Sequence, residues 1–276
     1  MIYLRVLVEN TSRCDDIQCR HGLSVYAETL LHKVLFDVGP DETFFRNAEK
    51  MGIDLMKVDT AVLSHGHHDH GGGLETFFRI NEQAPLYLQT SAIDGYYSLA
   101  KSPVPRYIGL ESRVQACAGR MCFVDDIYAV DRELLLFRAK RSQGPPLQAN
   151  GKLRRLEGEE YIPDDFRHEM NLLITAGERA VLLAGCAHKG IVPIMERCCE
   201  LLGRAPDLAL GGFHLFSPGS GETEPEDVIR EIGMQLSQWP TRYYTGHCTG
   251  QTAFSQLKEI LGDQLQSMYG GLELRL

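Results

Sequence analysis

Short apolar runs alternate with polar segments along the chain, and their lengths and spacing predict its secondary structure. Apolar runs bounded by turn residues predict strands, because strands are short and rich in aliphatic and β-branched side chains. In the first third of the chain such runs lie at residues 2–8, 23–30, 32–38, 60–64 and 86–90. The second and third of these almost adjoin, which predicts a hairpin.

Segments with helical period separate the strands. Residues 41–52 place four apolar side chains on one helical face: Phe44, Phe45, Ala48 and Met51. This spacing predicts a helix between two strands, because residues three and four apart share one side of a helix.

The second half of the chain repeats the arrangement. Predicted strands read NLLIT, AVLLAGC, LALGGFH and RYYTGH, and segments of helical period lie at 190–203, 222–239 and 252–262. In the second of these helices, Thr223 and Glu226 have the spacing of a capping box, with Pro225 in the first turn.

This order of elements predicts an α/β fold in one domain that spans residues 1–276. Two strand-rich halves of similar size favour two sheets packed together with helices outside. Between the halves, the segment around 140–166 contains Gly, Pro and charged residues without a sustained period. A loop of that length predicts a lid or substrate loop, and a flexible insertion is the alternative.

Composition narrows the class of protein. The net charge of −9 and the isoelectric point near 5.6 argue against affinity for a nucleic-acid backbone, which needs clustered cations. The first ten residues lack the apolar length of a signal peptide, and no run approaches the roughly 20 apolar residues of a membrane span. We therefore expect a cytoplasmic protein that binds neither nucleic acid nor membrane, with its eight cysteines reduced. Cys14 and Cys19 lack a second pair at zinc-site spacing and are predicted to be loop thiols.

The stretch AVLSHGHHDHGGG, residues 61–73, contains the residues that predict a metal site. A predicted strand ends in the pattern H-x-H-x-D-H, and flanking glycines permit a tight turn. Alternate residues in such a turn direct two imidazoles at one ion, while the carboxylate and last histidine reach a second ion. The predicted metal ligands of this stretch are His65, His67, Asp69 and His70.

Further ligands must come from other strand ends. Small residues and a preceding apolar run accompany His188, His247, Cys186 and His214, whereas His168 precedes a strand. We prefer His188 and His247, then His168, then Cys186 and His214. His68 lies between ligands and is expected to point away or toward substrate, and His21 and His32 are expected to be ordinary histidines.

The stretch LSHGHHDHGGGL resembles the signature of the metallo-β-lactamase superfamily, whose members have two mixed sheets between helices, a four-layer αβ/βα sandwich. Eight blocks in order resemble one branch that is described as dihydropteroate-synthase-like. That branch is also labelled 7,8-dihydropterin-6-methyl-4-(ribofuranosyl)aminobenzene 5'-phosphate synthase. The resemblance covers the chain except residues 95–160, through the following blocks: VENTS, HGLSVYAE, LFDVG, SHGHHDHGGGL, HEMNLLI, AGCAHKGIV, GGFHL and GHCTG.

The resemblance also implies ligands. The first block and His247 match the superfamily's pattern, but an Asp usually follows the strand that here reads AVLLAGC. Cys186 or His188 must replace it. The superfamily's middle histidine precedes a hairpin, which selects His168, whereas convergence of strand ends favours His188.

Two divalent ions at such a site lower the pKa of a bridging water toward about 7, which gives a nucleophile for hydrolysis. Asp69, His188 and His214 are the predicted catalytic residues, and His68 and Lys189 are predicted to bind substrate. Nitrogen and oxygen ligands suit zinc, manganese or iron, and a ligating Cys186 favours zinc.

The first hypothesis is a metal-dependent hydrolase that acts on a small anionic ester, lactone or phosphate compound. The second is a dihydropteroate-synthase-like transferase that joins an arylamine to a pterin diphosphate, as the branch label implies. The third is a non-catalytic metal-binding or redox protein. A small-molecule substrate is the expected partner, and the pattern leaves the oligomeric state open.

Overall fold

Two seven-stranded sheets face each other at the centre of the fold. The computed structural model describes residues 1–111, 114, 118–140 and 147–276. The strands are β1 (Tyr3–Val8), β2 (Ser24–Glu28), β3 (Lys33–Phe36), β4 (Thr60–Val62), β5 (Leu86–Gln89), β6 (Tyr96–Ser98), β7 (Arg106–Tyr107), β8 (Met121–Val124), β9 (Ile127–Ala129), β10 (Leu134–Phe137), β11 (Leu153–Glu157), β12 (Glu160–Pro163), β13 (Asn171–Ala176), β14 (Arg179–Leu183), β15 (Leu208–Leu210), β16 (Phe216–Ser217), β17 (Glu222–Thr223), β18 (Arg242–Thr245), β19 (Leu265–Ser267) and β20 (Glu273–Arg275). The helices are α1 (Thr43–Lys50), α2 (His68–Gly71), α3 (Leu74–Ile80), α4 (Ile191–Leu202), α5 (Glu226–Leu236) and α6 (Gln251–Leu261).

Both large sheets are mixed. The first has the order β20-β1-β2-β3-β4-β5-β8, and the second has the order β19-β18-β15-β14-β13-β10-β9. The predicted hairpin is confirmed, since β2 and β3 pair antiparallel with Val25 opposite Phe36. From β3 to β8 in the first sheet, and from β14 to β19 in the second, neighbouring strands run parallel.

The core lies in three layers, because alternate residues of a strand point to opposite faces. In β14, Val181 and Leu183 pack between the two sheets, whereas Ala180 and Leu182 pack against the helices α4, α5 and α6. In the same way the outer face of the first sheet is covered by α1 and α3. The predicted four-layer αβ/βα sandwich is confirmed.

The predicted capping box of α5 is wrong. Thr223 belongs to β17, Pro225 occupies the N-cap position and Glu226 is the first helical residue, with no side-chain cap. The carboxylate before this proline has another partner, since Glu224 accepts a hydrogen bond from the backbone of Ala149 at 2.7 Å.

A smaller sheet covers the edge where the site lies. Its strand order is β12-β11-β6-β7, and Ser98 at its centre pairs with Leu153 on one side and Arg106 on the other. The segment around 140–166, predicted to be a lid or substrate loop, contains the antiparallel hairpin β11–β12. Residues 141–146 of the segment lie outside the described residues.

The parallel strands direct their carboxyl ends to one edge of the sandwich. The turns after β3, β4, β14, β15 and β18 all begin there, which is where α/β sheets commonly bind ligands. Across the described residues, no helix is long and apolar enough to cross a membrane.

Candidate metal centre

The turn after β4 carries the histidine-rich stretch. His65, His67 and His70 are buried, and the side chain of Asp69 is about a quarter exposed. The short helix α2 brings Asp69 and His70 round to the same side as His65. The turn therefore directs its donors inward.

For two of these imidazoles, hydrogen bonds determine which ring nitrogen carries the proton. The buried carboxylate of Asp37 accepts from the Ser64 hydroxyl at 2.7 Å and from His70 Nδ1 at 2.6 Å. Because the single hydroxyl proton of Ser64 goes to Asp37, its oxygen accepts from His65 Nδ1 at 2.8 Å. Both rings are thus Nδ1–H tautomers, and both Nε2 atoms keep a free lone pair.

His188 is held by an asparagine in the same way. The Asn150 amide donates through Nδ2 to the His188 carbonyl at 2.8 Å, so its oxygen faces His188 Nδ1 at 3.0 Å and accepts from it. The buried carboxylate of Glu169 accepts from the His188 backbone N–H at 2.5 Å. His188 is therefore also an Nδ1–H tautomer, and its Nε2 atom keeps a free lone pair.

A second asparagine, Asn10, holds His247. Asn10 donates to the His247 carbonyl at 3.1 Å and accepts from His247 Nδ1 at 3.1 Å. Glu9 accepts from the His247 backbone N–H at 2.5 Å. The Nε2 atom of His247 then lies 3.2 Å from His70 Nε2, and a cation or a shared proton must separate the two lone pairs.

Three rings form the first donor set. Ring centroids lie 4.6 Å apart for His65 and His67, 5.0 Å for His65 and His188, and 5.0 Å for His67 and His188. The Nε2 atoms of all three are buried without a hydrogen-bond partner among the described residues. Burial lowers the pKa of His65 and His188 well below the usual range, so both rings are neutral.

Asp69, His70 and His247 form the second donor set. Asp69 Oδ2 lies 3.3 Å from His247 Nε2 and 3.7 Å from His70 Nε2. Burial raises the pKa of Asp69, but His70, His247 and His21 outweigh burial and lower it well below the usual range. The carboxylate is therefore charged and available to a cation.

Cys186 lies between the two sets. Its sulfur is 3.2 Å from His70 Nε2, and its donor atom falls within 4.8 Å of the donors of both His65 and His188 and of Asp69, His70 and His247. Buried imidazoles with free lone pairs, a carboxylate and a thiol fit a divalent ion of the zinc class, because an unpartnered buried polar atom is costly and metal binding satisfies it.

His168 is the alternative to His188 as a metal ligand, but both of its ring nitrogens are used in hydrogen bonds. Nδ1 accepts from the Gly66 backbone N–H at 2.9 Å, so the proton sits on Nε2, which faces Asp164 at 3.2 Å. The ring also stacks on Tyr96 with centroids 3.9 Å apart. His168 thus offers no lone pair, and the geometry favours His188 as the ligand.

The backbone at this edge is strained. Asp37, Ala187, His214 and His247 all have φ between 48° and 57°, a region that costs a non-glycine residue about 1–3 kcal/mol. A Cβ atom at Gly185 would lie 2.2 Å from the Ser64 hydroxyl, so the turn after β14 approaches the turn after β4 only through a glycine. Such strain concentrates at functional sites.

The model of one protein family, described as the metallo-beta-lactamase superfamily, matches residues 22–189, more than half of the chain. The chain belongs to the metallo-beta-lactamase superfamily. The resemblance that the histidine-rich stretch indicated is thus confirmed at the level of family and fold.

Known proteins match over almost the whole chain. A 7,8-dihydropterin-6-methyl-4-(beta-D-ribofuranosyl)-aminobenzene-5'-phosphate synthase of Methanocaldococcus jannaschii is 25% identical over 275 residues, covering 91% of this chain and 88% of that protein. The crystal structure of Tm1679, described as a metal-dependent hydrolase of the beta-lactamase superfamily, is 27% identical with a TM-score of 0.85, covering 100% of this chain and 99% of that one. Zn²⁺-bound PqqB from Methylobacterium extorquens, with 13% identity, a TM-score of 0.59 and coverage of 99% and 100%, shows the fold alone.

A cavity of about 480 Å³ opens beside the donors. Of the residues predicted to act there, His68 and His214 line it, whereas Lys189 lies outside the lining and donates its backbone N–H to Glu169 at 3.2 Å. His21, expected to be ordinary, also lines the cavity, with its Nε2 atom 3.5 Å from Asp69. His32 lies elsewhere, between Asp59 and Asp131.

Sequence reasoning missed the residues that orient the donors. Asp37, Asn10 and Asn150 follow or precede strands, and each is polar where the neighbouring pattern is apolar or turn-like. Asp37 in LFDVG carried the clearest signal, a carboxylate directly after a buried strand. Asn150 carried none, because it lies in a segment without a regular pattern.

Proposed function

We propose that this protein is a metal-dependent hydrolase that acts on a small anionic ester, lactone or phosphate compound. The observation that carries the proposal is the convergence of buried imidazoles beside a cavity. The Nε2 atoms of His65, His67 and His188 have no hydrogen-bond partner among the described residues, and those of His70 and His247 lie 3.2 Å apart. Asp69 and Cys186 complete two adjacent donor sets. The Cys186 thiol favours zinc over manganese or iron.

Metal ions in these sets would supply a Lewis acid and lower the pKa of water toward about 7. The residues of the chain hold this arrangement in place without moving. Asp37, Asn10 and Asn150 fix the rings, and the mostly buried Asp69 carboxylate points at the same space as His247. A group preorganised in this way loses little energy to reorientation during the reaction.

His21 is the side chain that we expect to exchange protons with solvent. About half of its side chain is exposed, and its Nε2 atom lies 3.5 Å from Asp69 at the cavity wall. His188 and Asp69 are themselves donors and are more buried than His21, so neither contacts solvent as readily.

Two cationic side chains at the cavity wall support an anionic substrate. Arg106 and Lys152 line the cavity, and neither forms an ion pair with another described residue. Arg106, Ser98 and Leu153 are paired across β7, β6 and β11, so their side chains share one face of the small sheet, and all three line the cavity. An anionic group there would lie in the same cavity as the candidate metal donors.

Replacement of Asp69 with Ala tests the hydrolase proposal. The variant removes a donor on a turn, so we expect bound metal to fall and turnover of ester or phosphate substrates to drop by at least about 100-fold, with the fold retained. Elemental analysis, circular dichroism and a hydrolysis assay measure the three quantities. The proposal is wrong if the variant hydrolyses at the wild-type rate.

Replacement of Arg106 with Ala tests the anionic substrate. Loss of one charge-assisted hydrogen bond should raise KM by about tenfold or more and leave kcat little changed. Lys101→Ala, an exposed cation beside the same sheet but outside the cavity lining, is the matched control and should change neither constant. An equal KM rise in both variants would indicate general charge attraction instead of a subsite.

The synthase from Methanocaldococcus jannaschii favours a second candidate, a transferase that joins an arylamine to a pterin diphosphate. In that reaction the carbon–oxygen bond to diphosphate breaks, a carbon–nitrogen bond forms and the amine loses a proton. Diphosphate release that requires the amine would identify the transferase, whereas release with water alone would identify the hydrolase.

A further inference from the structure

His214 is buried beside His188, with ring centroids 4.1 Å apart. Its side chain lies at the cavity wall in a residue that is 6% exposed, and neither ring nitrogen has a hydrogen-bond partner among the described residues. Its backbone adopts φ 48°, which is costly for a residue with a Cβ. Two unsatisfied nitrogens on a strained residue require a compensating interaction, because each buried unsatisfied group costs about 1–3 kcal/mol.

Two thiols lie beside this ring. The donor atoms of Cys186, His214 and Cys248 are all within 4.8 Å of one another, and all three residues are buried. A Cβ atom at Gly212 would lie 2.5 Å from the Cys248 sulfur, so a glycine is needed for the turn after β15 to pass that thiol. The turns after β14, β15 and β18 each supply one donor.

We propose that Cys186, His214 and Cys248 form a third donor set, which binds a thiophilic ion of the zinc or cadmium class. Tetrahedral zinc holds sulfur at about 2.3 Å and nitrogen at about 2.0 Å, so the donors must approach to about 3.3–3.8 Å of one another. From separations within 4.8 Å, this requires side-chain adjustments of about an ångström. All three residues line the cavity, so a fourth position faces the open space, as in catalytic zinc sites.

Cys186 connects this set to the other two, because its sulfur also lies among the donors of His65 and His188 and of His70 and His247. A thiolate in that position can bridge ions. Both sulfurs would coordinate such an ion as thiolates. The added sulfur makes the whole centre more selective for soft ions than a set of imidazoles and carboxylates.

Titration of the metal-free protein with Cd²⁺ and Co²⁺ tests the proposal without an activity assay. Thiolate-to-metal charge-transfer absorption counts coordinated sulfur, and elemental analysis counts ions. Cys248→Ser should bind about one ion fewer and lose about half of the charge-transfer intensity. His214→Ala should weaken the affinity for that ion by at least about tenfold.

Cys14→Ser, an exposed thiol outside the three sets, is the matched control and should bind metal as the wild type does. Cys248→Ala and a thermal melt of each metal-free variant distinguish loss of a ligand from loss of the fold. Equal ion counts and equal charge-transfer intensity in Cys248→Ser and wild type would overturn the proposal, and so would His214→Ala with unchanged affinity. Neither outcome depends on hydrolysis, so failure here leaves the proposed function standing.

Discussion

At the scale of single residues, orientation matters as much as donor identity. Four imidazoles turn Nε2 toward the donor sets because a specific acceptor takes the proton on Nδ1: Ser64 for His65, Asp37 for His70, Asn150 for His188 and Asn10 for His247. His168 has the reverse pattern, since the backbone N–H of Gly66 donates to its Nδ1. Chemically identical side chains therefore differ in their ability to bind a metal.

Asp37→Asn tests this principle. The amide keeps the shape of the carboxylate but removes the charge that holds His70 and Ser64, so we expect metal affinity to weaken by about 10–100-fold. Competition with a chelator of known affinity measures the change. Asp41→Asn is the control, because this partly exposed carboxylate pairs with Arg20 and is expected to leave the affinity unchanged. Equal affinities for Asp37→Asn and wild type would show that His70 needs no such partner.

At the scale of elements, burial on both faces explains why the sequence pattern predicted the strands. Strands such as β2, β3, β13 and β14 are almost continuous apolar runs, as expected for strands between a second sheet and a layer of helices. The hairpin β11–β12 was missed because its residues are mostly polar and exposed or half-buried, so no apolar period marks it. The capping pattern predicted for α5 also failed, because tertiary contacts decide the structure there.

The end of α4 gives a prediction at this scale. Gly203 ends the helix with φ 76° and its backbone N–H bonds to the Cys199 carbonyl, while an added Cβ would meet no atom within 4 Å. Gly203→Ala should therefore destabilise the protein through backbone strain alone, by about 1 kcal/mol. Urea unfolding measures the free energy. Gly119→Ala, where an added Cβ is equally unhindered and φ is not left-handed, should change it by less than about 0.5 kcal/mol.

At the scale of the whole molecule, His32 joins the two large sheets. Its ring contacts Asp59, just before β4 of the first sheet, at 2.9 Å, and Asp131, between β9 and β10 of the second, at 2.7 Å. Burial lowers the pKa of His32, but the hydrogen bonds to Asp131 and Asp59 outweigh it and raise the pKa above 6.5. The two ion pairs thus depend on pH.

His32→Gln should lower the free energy of unfolding more at pH 6 than at pH 9. The contribution of a histidine with a raised folded pKa is complete below its unfolded value near 6.5 and is lost as pH rises through the folded value. Partly exposed pairs of this kind contribute up to about 1 kcal/mol. Lys57→Gln, which breaks the exposed pair with Asp54, should have the same small effect at both pH values. A His32→Gln deficit that grows with pH would contradict the assignment.

The sequence by itself determined the order of the buried strands and the helices between them, the layered fold and the first block of candidate donors, because apolar period and donor spacing are local properties. His65, His67, Asp69 and His70 lie within six positions, so one turn places them together. Tertiary structure alone decided the rest. His247 and Asn10 are 237 residues apart, and His188 and Asn150 are 38 apart, yet these contacts fix which nitrogen is free. Our preference for His188 over His168 thus rests on hydrogen bonds between distant turns, which no local pattern encodes.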